Sequence, residues 1–484
     1  LGIETSLKTF KEKTMAKKWF IVALGVLLLV AFTAPVMAET KVEFSGSYRV
    51  RYFYDQNLSM ASESDREWQS NYFDQRFRIE PKFIVSDALS LTMRINGING
   101  SRWGDANGAY GPQATFAYGG GGSDSSFDIE RVYMTIITNF GAFLVGRVSG
   151  GAAGLAPLGY YGGRFADATG LNESDPFDNE GPTHRIIYQI PIGNFKLTAL
   201  YEKIVEQDWR NTGNQGIIAA NPGWDDDSDA FALVPQYQWA TGVANMTLFY
   251  ARNHSNNEPN FWATGVLPRD INLYFVDVAV IQAFGPFSMH FEGQYRWGTM
   301  NWDRWIVPGA VPDMDFQGWG VYLDGIYNFG PGEVGLLFMY TQGADPNATA
   351  NDVQAGQLAT GGDHTPFLVA YDRGVFSPNT AGWNQQVANS ANHWNLGLWC
   401  DYDITETMML HAALGYFQIN ETPDGWGHHF GWEIDLGFNW LLMDGLRYST
   451  MFGYFFPGNY NEAGLGANEY GNAWAWKNEL QLSF

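Results

Sequence analysis

Arginine recurs at alternate positions early in this chain. Arg49 and Arg51 stand two apart, as do Arg76 and Arg78, and Arg94, Arg131 and Arg147 follow singly. Successive side chains of a strand point to opposite faces, so bases two apart share one face. Acids answer them in Ser149–Pro182, which carries Asp167, Glu173, Asp175, Asp178 and Glu180, with Arg164 its only base. That stretch has neither a helical nor an alternating period, and it exceeds the length of an ordinary connection. A basic wall facing an acidic loop across water makes a transverse field, which orients dipolar solutes and sorts ions. The expectation is a constriction, with those seven arginines on one side and the loop acids on the other. The competing reading is a set of wet-face charges in a wide lumen, with the loop solvated outside.

Other chemistry is weaker. Asp225, Asp227 and Asp229 offer hard oxygens of the kind Ca²⁺ takes, but Ala230 and Gln236 stand where a calcium-binding loop needs glycine and a distal glutamate. A solvated acidic loop is the simpler reading. His428 and His429 are adjacent, so in a strand they point apart. No nucleophile motif accompanies the wet-face His290 and His411, which argues against an enzyme, and no cofactor is expected. The single cysteine, Cys400, can form neither an internal disulfide nor a cysteine zinc site.

The N-terminus sets the compartment. Met15-Ala16-Lys17-Lys18 precedes an apolar run from Trp19 to Phe32, then Thr33 to Ala38 with small residues at Val36 and Ala38. This is the pattern of a secretory signal peptide spanning 15–38, cut after Ala38, with 1–14 an upstream extension. Without residues 1–38 the chain carries 23 basic and 49 acidic side chains, a net charge of −26. Nucleic-acid binding, which needs a basic face, is excluded.

The elements that must position these charges are strands. From Val42 to Tyr52 even positions are apolar, aromatic or Gly and odd positions are polar; from Asn71 to Val85, Phe73, Phe77, Ile79 and Phe83 oppose Asp74, Arg76, Arg78, Glu80 and Lys82. Short turns such as Ser86-Asp87, Phe284–Pro286 and Met443–Gly445 alternate with long connections such as Asn211–Ser228 and Gly343–Asn392. Fifty-six Gly, 16% aromatic and only 16% charged residues suit strands wetted on one face, since soluble domains run nearer 25% charged. Alternation in nearly every segment requires a closed sheet, because an open edge in lipid strands its backbone groups. The fold class is therefore all-β: one transmembrane antiparallel barrel over 39–484. It has about eighteen strands, sixteen being the alternative. Aromatics at strand ends, Trp297, Trp319 and Trp440 among them, are placed as interfacial girdles. From Ile271 onward the wet-face charges are mainly acidic, including Asp277, Glu292, Asp324, Asp401, Glu433 and Asp435. One arc of the wall is thus basic and the other acidic.

The last strand alternates to the final residue, with Leu480, Leu482 and Phe484 in phase. In this the chain resembles Gram-negative outer-membrane porins, whose assembly signal is a last strand ending in an aromatic. Phe73-Asp74-Gln75-Arg76-Phe77-Arg78 and Phe143-Leu144-Val145-Gly146-Arg147 look like the homotrimeric porins of sulfate-reducing bacteria. The resemblance implies long loops outside and short turns in the periplasm, with the loop after the fifth strand folded into the pore. It implies outer-membrane lipid, lipopolysaccharide and the barrel-assembly machinery as partners, a homotrimer, and passage of small hydrophilic solutes and ions. Three functions stand: a general diffusion porin, a channel selective for sugars or organic acids, and a structural surface barrel. Wet-face Phe275, Tyr322 and Trp399 would favour the second if they formed a track.

Overall fold

A computed structural model describes residues 40–58, 69–103, 128–150, 163–169, 182–205, 228–253, 268–302, 314–343, 366–373, 392–460 and 471–484. The strands are β1 (Lys41–Gln56), β2 (Gln69–Ser86), β3 (Leu89–Arg102), β4 (Asp128–Thr138), β5 (Gly141–Val148) and β6 (Thr183–Ile192). They continue as β7 (Phe195–Val205), β8 (Ser228–Trp239), β9 (Gly242–Asn253), β10 (Pro268–Phe284), β11 (Phe287–Trp302) and β12 (Met314–Asn328). The last six are β13 (Gly332–Thr341), β14 (His393–Thr405), β15 (Met408–Ile419), β16 (His429–Met443), β17 (Leu446–Pro457) and β18 (Ala473–Ser483). A short helix, α1 (Gly163–Thr169), lies between β5 and β6, and a π-helical turn, Leu368–Asp372, between β13 and β14.

Each strand pairs antiparallel with the next, and β18 returns to β1, so the sheet of 18 strands is closed. At the seam Gly46 N–H donates to the Phe484 carbonyl at 2.9 Å and Phe484 N–H to the Gly46 carbonyl at 3.1 Å. Closure pairs the backbone groups that lipid could not solvate. Two of the tight turns carry glycine at positive φ, Gly193 at 61° and Gly285 at 62°, a conformation in which a Cβ is strained.

Alternation separates the faces as the sequence predicts. On β16, Trp432, Ile434 and Leu436 are exposed outward while Glu433 and Asp435 between them are buried inward. Aromatic pairs run along the outer surface near the strand ends, among them Trp319–Tyr340 at 4.5 Å and Tyr274–Trp297 at 5.7 Å between ring centroids.

The main apolar core lies inside the barrel. It joins inward residues of β12–β18, such as Tyr322, Leu337, Met339, Trp399, Phe417 and Phe455, to Phe165 of α1 and to Phe367–Tyr371. Two segments of connecting chain therefore fold into the barrel and pack against the same half of its wall.

Candidate functional site: the barrel lumen

The first insert leaves β5 on one side of the barrel and docks α1 on β13–β16. It seats by its first turn, whose N–H groups have no partner within the helix. Arg164 N–H donates to Glu333 Oε1 and Phe165 N–H to Asp401 Oδ2, both at 2.9 Å. Arg164 Nη1 reaches Asp403 Oδ2 at 2.9 Å, and Arg447 Nη1 donates to the Ala168 carbonyl at 3.0 Å. The Phe165 ring stacks on His411, 4.5 Å between centroids, and His411 Nδ1 is 2.6 Å from Asp401 Oδ1. Gly437 makes the space: a Cβ there would collide with the Phe165 ring.

The second insert was not foreseen, since Gly343–Asn392 reads as an external connection. Phe367, Leu368, Val369 and Ala370 are fully buried. Val369 and Ala370 N–H groups donate to the two carboxylate oxygens of Glu433 at 2.5 and 2.8 Å. Tyr371 OH lies 2.8 Å from His393 Nε2 and also receives the Asn395 amide. Arg373 reaches the opposite side of the seam, with Nε and Nη2 on the Asp55 carboxylate at 2.9 and 2.5 Å and its guanidinium 4.2 Å from the Phe53 ring centre. Burial opposes the charged form of Asp372, yet Lys477, Arg373, Arg51 and Arg49 hold its carboxyl below the usual range.

Much of the acidic arc is thus an anchor. Glu333, Asp401, Asp403 and Glu433 receive insert backbone or Arg164, and Glu333, Asp401 and Glu433 are buried beneath them. Trp399 and Tyr322 are packed under the inserts in that core rather than forming a track, and Phe275 is buried beside Phe249, their rings 4.3 Å apart.

The basic arc is self-braced, with Arg49 buried and Arg51, Arg76, Arg78, Arg94 and Arg131 partly exposed. Arg51 forks onto Asp74 at 3.0 and 2.7 Å. Arg49 lies 3.8 Å from Glu479 across the seam. Arg76 shares this face, paired in register with Arg49. Arg78 and Arg94 converge on Glu130 at 2.9 and 3.1 Å, Asn96 donates to the same carboxylate at 3.0 Å, and Arg131 is 3.5 Å away. Glu130 was missed because alternation fails there. The register runs from Arg94↔Arg131 to Ile95↔Ile129, so Glu130 is the extra residue of a β-bulge and joins Arg131 on the inner face.

One member of the expected wall faces away. Arg147 pairs with Val132 and His184, in phase with Phe143 and Val145, whereas Leu144 and Val148 form an inward apolar cluster with Ile187 and Leu200. Both faces of β5 are apolar, so hydrophobicity could not distinguish them. Among the loop acids, Glu173, Asp175, Asp178 and Glu180 lie outside the described residues, as do Asp225 and Asp227. The backbone of Asp167 lies within α1. Asp229 is held by Arg252 at 2.9 Å, Tyr201 at 2.8 Å and Lys203 at 3.4 Å, protein partners in place of a cation. Leu480, Leu482 and Phe484 face outward, and all three are exposed.

The model of the Gram-negative porin family matches residues 25–422. The chain belongs to the Gram-negative porin family. One solved structure agrees in fold, and two more are similar. Pseudomonas aeruginosa OccK9 is 13% identical with a TM-score of 0.52, over 91% of this chain and 99% of that one. OccK2 of the same organism, solved with glucuronate, is 11% identical with a TM-score of 0.49, over 91% and 98%. A trimer form of Vibrio cholerae OmpT is 11% identical with a TM-score of 0.39, over 92% and 100%. Comparison with curated protein sequences finds no match. This porin is an outer-membrane channel.

Proposed function

We propose that this porin passes small hydrophilic solutes and ions passively, along the side of the lumen that the arginines of β1–β4 line. One observation carries this: the inserts dock on the acidic side of the wall, while Arg51, Arg76, Arg78, Arg94 and Arg131 stay partly exposed. The narrowed passage orients solutes, with their anionic groups toward the arginines. The acids of the first insert, Asp167, Glu173, Asp175, Asp178 and Glu180, complete the transverse field from the other side. The lumen histidines serve structure, since His411 is buried between Asp401 and Phe165, and the channel performs no enzymatic step. Export uses a signal peptide over 15–38 cleaved after Ala38. Residues Leu480, Leu482 and Phe484 address the chain to the assembly machinery, and three copies associate through the outward face of the first strands.

Planar-bilayer recording tests the reading. Such a field acts over about one Debye length, ~10 Å at 0.1 M salt. Replacing Arg76 and Arg78 by Gln should shift the reversal potential toward cation selectivity. Neutralising the loop acids should shift it toward anions, and both shifts should shrink at 1 M salt, where screening falls to ~3 Å. Unchanged reversal potentials in both variants would remove the arginines and the loop from the conduction path.

A further inference from the structure

The outward placement of Arg147 exposes a pattern on the lipid face. Direct cross-strand partners run Arg147↔His184 from β5 to β6, His184↔Lys203 to β7, Lys203↔Asp229 to β8 and Asp229↔Arg252 to β9. Five neighbouring strands thus contribute one row, ~19 Å wide at the ~4.8 Å spacing of strands. All five residues sit at the strand ends that lead into the long connections, the extracellular end of a barrel of this class.

Two residues further into the membrane, the same face carries Tyr201, Phe231, Tyr250 and Tyr274 in register. Their successive ring centroids are 5.4, 6.5 and 4.8 Å apart, a continuous aromatic band. Two residues beyond that lie Leu233 and Leu248, also paired with each other. From the middle outward the face reads apolar, aromatic, basic. An amphiphile with acyl chains, a polar interface and an anionic head has the same order.

The row's charges are arranged to receive an anion. Asp229 is the one acid in it, and it holds Lys203 at 3.4 Å and Arg252 at 2.9 Å, while Tyr201 OH donates to it from the aromatic band at 2.8 Å. That fixes two cationic side chains beside each other at headgroup depth. Arg147 Nε is buried and has no hydrogen-bond partner. A guanidinium on a lipid-facing wall, among Phe143, Val145 and Val132, is costly unless its charge meets water or an anion at the interface. We infer that the row Arg147–His184–Lys203–Asp229–Arg252 binds the phosphate of an anionic lipid in the outer leaflet, with the aromatic band beneath it against the lipid's interface. This rests on the membrane placement of the barrel and is independent of which solute it conducts.

The test is native mass spectrometry of the folded protein in detergent, titrated with bisphosphorylated lipid A and, separately, with the same lipid after removal of its phosphates. Each basic residue near an anionic surface contributes about fivefold to affinity. Arg147→Gln should therefore weaken retention of phosphorylated lipid A about fivefold, and Arg147→Gln with Lys203→Gln about twenty-five-fold. The lumen variant Arg94→Gln should leave retention unchanged, and dephosphorylated lipid A should bind wild type as weakly as it binds the double variant. Equal retention of the two lipids by wild type would overturn the assignment, as would undiminished binding in Arg147→Gln. That single variant decides the matter if the double variant does not fold. A change in oligomeric mass with lipid retention intact would also overturn it, in favour of a contact between copies of the chain.

Discussion

At the scale of single residues, the arginine arc is a set of shared charges. Glu130 serves Arg78, Arg94 and Arg131 at once, so its carboxylate mutes three guanidiniums facing the lumen. Glu130→Gln should unmask positive charge and move the reversal potential toward anions under a salt gradient, opposite in sign to Arg76→Gln. A shift in the same direction for both would show that Glu130 lies off the ion path. Losing the shared carboxylate also weakens a partly buried ionic cluster, so a lower unfolding temperature should accompany the electrical change. Alternation made Arg49, Arg51, Arg76, Arg78, Arg94 and Arg131 legible from the sequence, because period two is unbroken over most of β1–β3. It failed at Glu130, where a bulge adds a residue, and at Arg147, where apolar packing occupies both faces.

At the scale of elements, the question is what keeps two inserts inside a water-filled barrel. The wall supplies acceptors for backbone N–H groups and grooves for aromatic rings. Phe165 occupies the space left by Gly437, and Phe367 lies where a Cβ on either Gly397 or Gly415 would approach it to 2.8 Å. Gly437→Leu should overpack the groove, at a cost of about 1–3 kcal/mol, and displace α1; single-channel conductance should rise. Deleting 159–170 should raise it further. Conductance unchanged in both would mean that the passage does not run beside α1. The second insert depends on Arg373. Replacing it by Gln leaves Asp55 buried without its cation, a loss of about 3–5 kcal/mol for the docked state, and open-channel noise should increase. Acid acts on the same dock with a definite sign. Asp372 is held below its ordinary value of about 3.9, so its contribution is complete above that pH and is lost only as pH falls through the lower folded value. Conductance should not respond to this group between pH 5 and 8 and should change only in stronger acid. The first insert was legible as a long aperiodic stretch after the fifth strand. The second was hidden because Phe367–Tyr371 is a short apolar run inside a long connection, and its docking groove is spread over glycines on several strands.

At the scale of the whole molecule, closure brings the last strand of the chain onto the first. Leu480 pairs with Val50 and Leu482 with Tyr48, and the Phe484 peptide exchanges two hydrogen bonds with Gly46. The eighteen strands and their turns were readable from alternation and turn residues, since a barrel repeats one local rule. The seam was readable only as a C-terminal pattern, because nothing in β18 alone says that β1 is its partner. Removing Phe484 takes away both bonds, worth about 1 kcal/mol each, and the ring that rests on Gly46. That is a small part of a barrel this size, so a purified and refolded variant should unfold only slightly more readily than wild type. In cells the effect should be large if the terminal aromatic is also read by the assembly machinery. Secretion should then be unchanged while heat-modifiable, surface-exposed barrel falls sharply. A protease-cleavable tag at Asn351 measures surface exposure in the same cells, and a tag at Gly332, where β13 leaves a short turn, reports leakage. Normal surface cleavage at 351 in the truncated chain would mean that the seam contacts alone account for the unbroken alternation of β18. Cleavage at 332 with protection at 351 would invert the barrel and place both inserts at the periplasmic entrance.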